Sequence, residues 1–469
     1  MRCTKIVCTL GPASSSPEII RGMIEAGMDV ARINFSHGVQ DEHAKVIKEI
    51  RNMASELGRN VAILGDLSGT KIRTGILLKE PVMLRSGDPF RLTTESVDGD
   101  WKQVSVNFKG LPEIVKPGDT LLLNDGAIHL TVESVGARDV TTRVIIGGTL
   151  RSHKGLNIPG REVLMDTLTG KDQEDTAFAV SHGIDWLALS FVRSPEDIRR
   201  VRRWIVDCGG HIPIIAKIEK REAIDSLEEI LQEADGAMVA RGDLGVEISL
   251  EEVPFLQMEI VSKALALHIP VITATQMLES MIDRPRPTRA EATDIATAVL
   301  NGTDAVMLSE ETALGRHPLE AVRTMARISE RAEREIDHSR FLVPSSLDQG
   351  IPQAVGHAAC TLATAVGAQA ILIPTWGGTT PWLVASHRPT QPLIALCQDQ
   401  AIQRRLALAW GITALMVGKT ASIGETVKAS IQAARAGGWL KSGDLAILVG
   451  NIPLDEISTT NFLQVVRVS

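Results

Sequence analysis

Lys217 and Glu219 stand two residues apart at the end of an apolar run, PIIAKIE (213–219). Side chains two apart in an extended strand share a face. An ammonium and a carboxylate therefore close a buried-type strand on one side. Taken alone, such a pair reads equally well as a satisfied ion pair. Other apolar runs also end in polar residues. DVARINF (29–35) carries Arg32 and Asn34 and is followed by Ser36, and VAILGDL (61–67) carries Asp66. GAMVA leads into Arg241, Gly242 and Asp243, PVITA into Thr275 and Gln276, and DAVML into Ser309, Glu310 and Glu311. Arg32 and Lys217 can hold an oxyanion or a phosphate. Glu219 and Asp243 offer hard oxygen ligands with few others nearby in sequence. That set suits Mg²⁺, which keeps waters and shares itself with a substrate. Gly242 lets a ligand approach the backbone, and a lysine beside a metal carboxylate can stabilise charge developing on a substrate oxygen. Each residue also has an ordinary structural reading. Asn34 and Ser36 could cap the next helix, Asp66 a turn, and Ser309 a helix N-terminus. Thr275 could be a half-buried hydroxyl, and His37 and His182 read as structural. Their convergence at strand ends points to an electrophilic site for a phosphorylated acid.

The elements that must position these residues repeat. KIVCTLG (5–11), DVARINF, VAILGDL, WLALSF (186–191), PIIAKIE, GAMVAR (236–241), PVITAT (270–275) and DAVMLS (304–309) are eight candidate strands. Most gaps between them hold amphipathic segments such as SPEIIRGMIEAG. Strand–helix alternation repeated eight times predicts an α/β fold of (β/α)₈ barrel type, with chemistry at the C-terminal ends of the strands. Residues 70–166 break the pattern with short alternating runs rich in Gly, Thr and Val, which predicts an all-β domain inserted after the third strand. The barrel then comprises 1–69 and 167–340, about 240 residues, close to the ~250 a bare barrel takes. SRFLVPSSLDQGIP reads as a linker, and 350–469 as a C-terminal open-sheet α/β domain, with AIQRRLALAWG as one of its helices.

Composition sets bounds. The 469 residues are too many for one ordinary core. Aromatics are 3% with no Tyr, so the core must be aliphatic. A net charge of −8 argues against a nucleic-acid partner. No run approaches the ~20 apolar residues of a membrane helix, and no secretory leader is visible. Five cysteines without CxxC spacing read as reduced thiols, which with the rest predicts a cytoplasmic protein.

The motifs DVARINFSHG, KIRTG, HKGLNIPG, AKIE, MVARGDLGVE, TATQMLESMI, RPRPTRAEATDIATAVLNGTDAVMLSEETALG and the closing GNIP and TTN strongly resemble pyruvate kinase, in order and over nearly the whole chain. The resemblance implies phosphoryl transfer from phosphoenolpyruvate to ADP, giving pyruvate and ATP. The inserted domain becomes a lid and the last domain an effector-binding domain, in a homotetramer. Lys217 is implied to neutralise the transferring phosphoryl group and the enolate. Glu219 and Asp243 are implied to bind Mg²⁺. Gly242, Asp243, Thr275 and Ser309 are implied to hold the substrate, with Arg32 on its phosphate. Arg73, Lys154 and Asn34 are implied to serve the nucleotide, and Thr275 a proton relay through water.

Asn34, Ser36, Asp66 and Leu67 correspond to the family's monovalent-cation pocket. Members that need K⁺ resemble one another in carrying Glu where this chain has Lys71. Members that do without carry Lys. The expectation is that Lys71 replaces the cation and K⁺ is not required. Two other departures are Thr70 where a Pro is common, and Glu310 where SGETA is usual. In the last domain, Thr375, Gly377, Gly378, Thr379 and Thr380 could cradle a phosphate at a helix N-terminus, where the family binds phosphorylated effectors. Two alternatives remain open. A barrel lyase or aldolase would not need ADP, and a non-catalytic sensor should have lost a site residue.

Overall fold

The computed structural model describes residues 2–161, 168–342, 350–420, 422–452 and 460–469. The expected boundary between the inserted domain and the barrel at 166–167, residues 343–349 of the linker, and Pro453 and Thr459 of the closing motifs lie outside the described residues. Eight parallel strands close a barrel: Lys5–Leu10, Val30–Asn34, Ala62–Asp66, Trp186–Leu189, Ile214–Ile218, Gly236–Ala240, Val271–Ala274 and Ala305–Leu308. All eight expected strands are present. Nearly every residue in them is buried, because one face packs on the outer helices and the other fills the barrel. Val7, Leu64, Ile215, Met238, Ile272 and Met307 fill the interior, with Ala407 and Leu408 of the C-terminal domain in the same apolar cluster. The helices start where the sequence can cap them. Thr169 with Asp172, and Thr288 with Glu291, form reciprocal capping boxes.

The insertion after the third barrel strand is strand-rich. Its six-stranded sheet runs Leu156–Asn157, Thr120–Leu123, Ile128–Val135, Asp139–Ile146, Pro89–Thr93, Gln103–Ser105 in spatial order, and Val82–Leu84 pairs separately with Gly148–Leu150. The strands at 82–84, 148–150 and 156–157 are only two or three residues long, too short to show alternation in the sequence. The C-terminal sheet has the order Ile412–Met416, Leu393–Cys397, Ala370–Thr375, Leu445–Gly450, Phe462–Arg467, with only the last strand antiparallel. AIQRRLALAWG is not one helix. An α-helix at Gln400–Arg405 gives way to a 3₁₀ turn at Leu406–Leu408, which drives Leu408 into the floor of the barrel.

Candidate active site

The rim residues meet at the C-terminal ends of the barrel strands. Lys217 lies near the end of the fifth strand, and its Nζ donates to Ser190 Oγ at 2.7 Å and lies 2.9 Å from Glu219 Oε1 and 3.3 Å from Asp66 Oδ1. Burial alone would pull this lysine down, but Asp66 and Glu219 outweigh it and hold its ammonium well above the ordinary range. Asp66 does not cap a turn. Its Oδ2 accepts from Arg32 Nε at 2.7 Å, and Lys217 and Arg32 together overcome burial to keep this carboxyl below its usual range. Arg32 Nη1 also donates to Thr9 Oγ1 at 2.8 Å. The ion pair at the strand end is thus one edge of a buried network of alternating charge.

Glu219 is 1% exposed. Its Oε2 accepts from the Phe191 backbone N–H at 2.9 Å, where Phe191 has a positive φ of 56°. Its Oε1 faces Lys217 without hydrogen-bond geometry and has no such partner. Burial raises the Glu219 carboxyl, and the neighbouring Asp243 charge raises it further. Two neighbouring carboxylates, Glu219 and Asp243, whose charges act on each other, fit a divalent cation. Among the described residues no group of three or more His, Cys, Asp or Glu could hold a metal. The fit is therefore to an ion that keeps waters and shares a substrate.

Gly242 and Asp243 open the short helix Arg241–Glu247. The Gly242 N–H donates to Thr275 Oγ1 at 2.9 Å. Thr275 and Gln276 both have positive φ, 66° and 55°, a strained pairing for residues with side chains. Arg241 holds that turn, donating to the Thr275 carbonyl at 2.6 Å while its Nη1 pairs with Asp294 at 2.7 Å. Ser309 opens a short helix without a side-chain cap, and its N–H donates to the buried Glu311. Glu310 is exposed.

The cation pocket is only partly as expected. Asn34 Oδ1 accepts from the Ser36 N–H at 3.1 Å, a local turn rather than a helix cap. The Leu67 carbonyl accepts from Ser190 Oγ at 2.7 Å. Lys71 does not join Asn34, Ser36, Asp66 or Leu67. Its ammonium lies 2.7 Å from Asp243 Oδ1 and 3.0 Å from Asp125 Oδ1. The chain leaves the barrel after Leu67, and Lys71 reaches past the fourth and fifth strands to the carboxylate that follows the sixth. Burial opposes its charge, yet Asp243 and Asp125 raise it above its usual range. Arg73 and Lys154 lie on adjoining segments of the inserted domain, bridged through Arg73 and Gly155. Arg73 Nη1 donates to the His153 carbonyl at 3.1 Å.

Thr9 and Ser190 were missed. They sit on the first strand and just after the fourth, the two for which no polar rim residue was expected. A hydroxyl within an apolar run looks like core, yet the same strand-end rule would have found both. His182 is structural, stacked on Phe178 at a helix end.

In the C-terminal domain, Thr375 ends a strand and Gly378, at φ 84°, precedes the helix Thr379–Ser386. Thr375 Oγ1 accepts from the Gly378 N–H at 2.9 Å, and Thr380 Oγ1 bonds Thr460 Oγ1 at 2.8 Å. Two of the three threonine hydroxyls expected to face a ligand are thus engaged within the fold. Gly377 and Thr379 are exposed.

A closed (β/α)₈ barrel gathering a buried lysine, an arginine and paired carboxylates at its strand ends defines a barrel enzyme for an anionic substrate and a cation. Residues 1–322 match the family model for the pyruvate kinase barrel domain, and residues 353–466 match that for the pyruvate kinase alpha/beta domain. The chain belongs to the pyruvate kinase family, and the enzymatic activity goes with it. It is 44% identical to pyruvate kinase 2 of Synechocystis sp., over 99% of this chain and 79% of that one. It is 41% identical to pyruvate kinase of Thermotoga maritima over the whole of both chains. A crystal structure of a pyruvate kinase from Cryptosporidium parvum superposes with a TM-score of 0.93 at 36% identity, covering 100% of this chain and 96% of that one. Among the described residues no helix is long and apolar enough to cross a membrane.

Proposed function

We propose that this chain transfers the phosphoryl group of phosphoenolpyruvate to ADP as the last step of glycolysis, with Mg²⁺ held by Glu219 and Asp243 and without a requirement for K⁺. The observation that carries this reading is Lys217, an ammonium held between Asp66 and Glu219 beside Arg32. Phosphoryl transfer calls for positioning and charge neutralisation more than covalent chemistry. Arg32 and Lys217 bind the substrate phosphate, and Lys217 then faces the charge that develops on the enolate oxygen. Gly242, Asp243, Thr275 and Ser309 line the carboxylate end. The bound metal supplies further neutralisation of phosphoryl and enolate oxygens. Thr275 holds the water that delivers a proton to the enolate carbon. Arg73 and Lys154, on the inserted domain acting as a lid, hold the nucleotide phosphates, with Asn34 beside them.

The Lys71 ammonium is the support for K⁺ independence. It brings a fixed positive charge to Asp243 and Asp125, not to Asn34, Ser36, Asp66 or Leu67. The chain works in the cytoplasm as a homotetramer, and a phosphorylated effector binds at 375–380. There the exposed Thr379 hydroxyl and the amides opening the helix are the donors. The test is pyruvate formation from phosphoenolpyruvate with Mg²⁺, with and without ADP. Formation that requires ADP supports the reading. Turnover of the substrate without ADP would indicate a lyase instead.

A further inference from the structure

We propose that Glu247, joined to Asn157 and Lys220, is a positioning group that sets the lid against the metal and lysine side of the site. The inference rests on the function proposed above. Asn157 lies in the last strand of the inserted domain and is 4% exposed. Its Nδ2 donates to Glu247 Oε1 at 2.9 Å. Lys220 Nζ donates to the same oxygen at 2.5 Å. Glu247 is 7% exposed, so its charge is out of water and depends on these donors.

Each partner belongs to a different working part. Glu247 ends the helix whose first turn carries Gly242 and Asp243. Lys220 follows Glu219 directly and stands three residues after Lys217. Asn157 stands three residues after Lys154, and the Arg73–Gly155 bridge ties its segment to Arg73. One carboxylate oxygen therefore links the return segment of the lid, the helix bearing Asp243 and the strand end bearing Lys217. The same helix is held from the lid side at its other end, where Lys71 spans Asp125 and Asp243. The helix is thus tied to the lid at both ends while Thr275 holds its start to the barrel. Among the described residues Asn157 Oδ1 has no hydrogen-bond partner, so the bond from Nδ2 to Glu247 is what ties this carboxamide to the barrel. The nucleotide contacts ride on the lid while phosphoenolpyruvate sits in the barrel. Loosening the tether should therefore act first on the nucleotide.

The experiment compares wild type, Asn157→Ala, Glu247→Gln and the double variant. It measures kcat, KM for ADP and KM for phosphoenolpyruvate separately, and hydrogen exchange at 71–77 and 153–157 without substrates. The expected result for Asn157→Ala is a rise of about fivefold in KM for ADP, the worth of one net hydrogen bond, with KM for phosphoenolpyruvate little changed. Exchange at both segments should quicken. Glu247→Gln keeps the shape and an acceptor for Asn157 but weakens the Lys220 link, and its effects should not add to those of Asn157→Ala. Equal rises in both KM values, additive effects, or unchanged exchange would overturn the proposal. If wild type makes no pyruvate, the functional reading fails, and the exchange data still decide whether the tether holds the lid.

Discussion

Lys217 is held by three oxygens from three other positions, Asp66, Ser190 and Glu219, and that surplus of acceptors keeps it charged. Its role needs a compact ammonium at one point. Lys217→Arg retains charge but spreads it over a planar fork. We expect kcat to fall by about 10²–10³, the usual cost of losing one preorganised electrostatic contact, with the urea unfolding midpoint little changed. A kcat within about threefold of wild type would place the chemistry elsewhere, since that is under 1 kcal/mol of transition-state stabilisation. Glu219 is the complementary test. Its carboxylate, close enough to Asp243 for the two charges to act on each other, predicts that Glu219→Gln weakens Mg²⁺ binding by about tenfold or more, roughly 1.4 kcal/mol. Isothermal titration of the enzyme with Mg²⁺ in the absence of substrates reads this directly, and unchanged affinity would remove Glu219 from the metal site.

At the scale of elements, each barrel strand delivers its polar residues only because the apolar run before it is buried on both faces. That burial made the strands legible, since a continuous run of Val, Ile, Leu and Ala bounded by polar residues has few other readings. The rim residues of six strands were legible from the same feature. Thr9 and Ser190 sit at strand ends that the same rule covers, but a hydroxyl beside Leu reads as core. The destination of Lys71 was not legible. Asp243 lies 172 residues further on, and which carboxylate a lysine reaches depends on how the chain leaves the barrel. The Asn157–Glu247 bond spans 90 residues and was equally hidden. In the C-terminal domain, the loop before the helix Thr379–Ser386 depends on Gly378 at φ 84°, and a Cβ there would lie 3.3 Å from Ile402 Cγ2. Gly378→Ala should cost about 1–2 kcal/mol of domain stability and abolish any response to phosphorylated metabolites. Retained stability and retained response would remove the loop from the effector site.

At the scale of the molecule, the C-terminal domain closes the end of the barrel opposite the site. Arg388, 1% exposed, lies 3.1 Å from Asp304 across that junction and donates to the Gly302 carbonyl at 2.6 Å. Lys5 Nζ donates to the Ile412 carbonyl at 2.9 Å, and Arg404 pairs with Asp185 at 2.8 Å. The junction also holds His387, whose ring centroid is 6.0 Å from that of His268 and 5.7 Å from that of His357. Burial pushes the His387 imidazole down from 6.5 to about 4, with nearby positive charge adding to it. The unfolded chain takes up this proton near 6.5 and the folded chain only near 4. Proton uptake in that window thus favours unfolding. Stability should be full above pH 6.5 and fall as the pH drops toward 4. His387→Gln should flatten this slope in urea unfolding at pH 7.5 and 5.0. An unchanged slope would mean that His387 is not buried at the junction.

The most direct test of the account is the K⁺ dependence of pyruvate formation from phosphoenolpyruvate and ADP with Mg²⁺, at constant ionic strength, for wild type and Lys71→Glu. The account predicts full wild-type activity without K⁺ and a variant that needs it, because removing the ammonium beside Asp243 leaves negative charge for a monovalent cation to neutralise. Strong stimulation of the wild type by K⁺ would contradict the role given to Lys71, and no pyruvate from either protein under any condition would contradict the function itself.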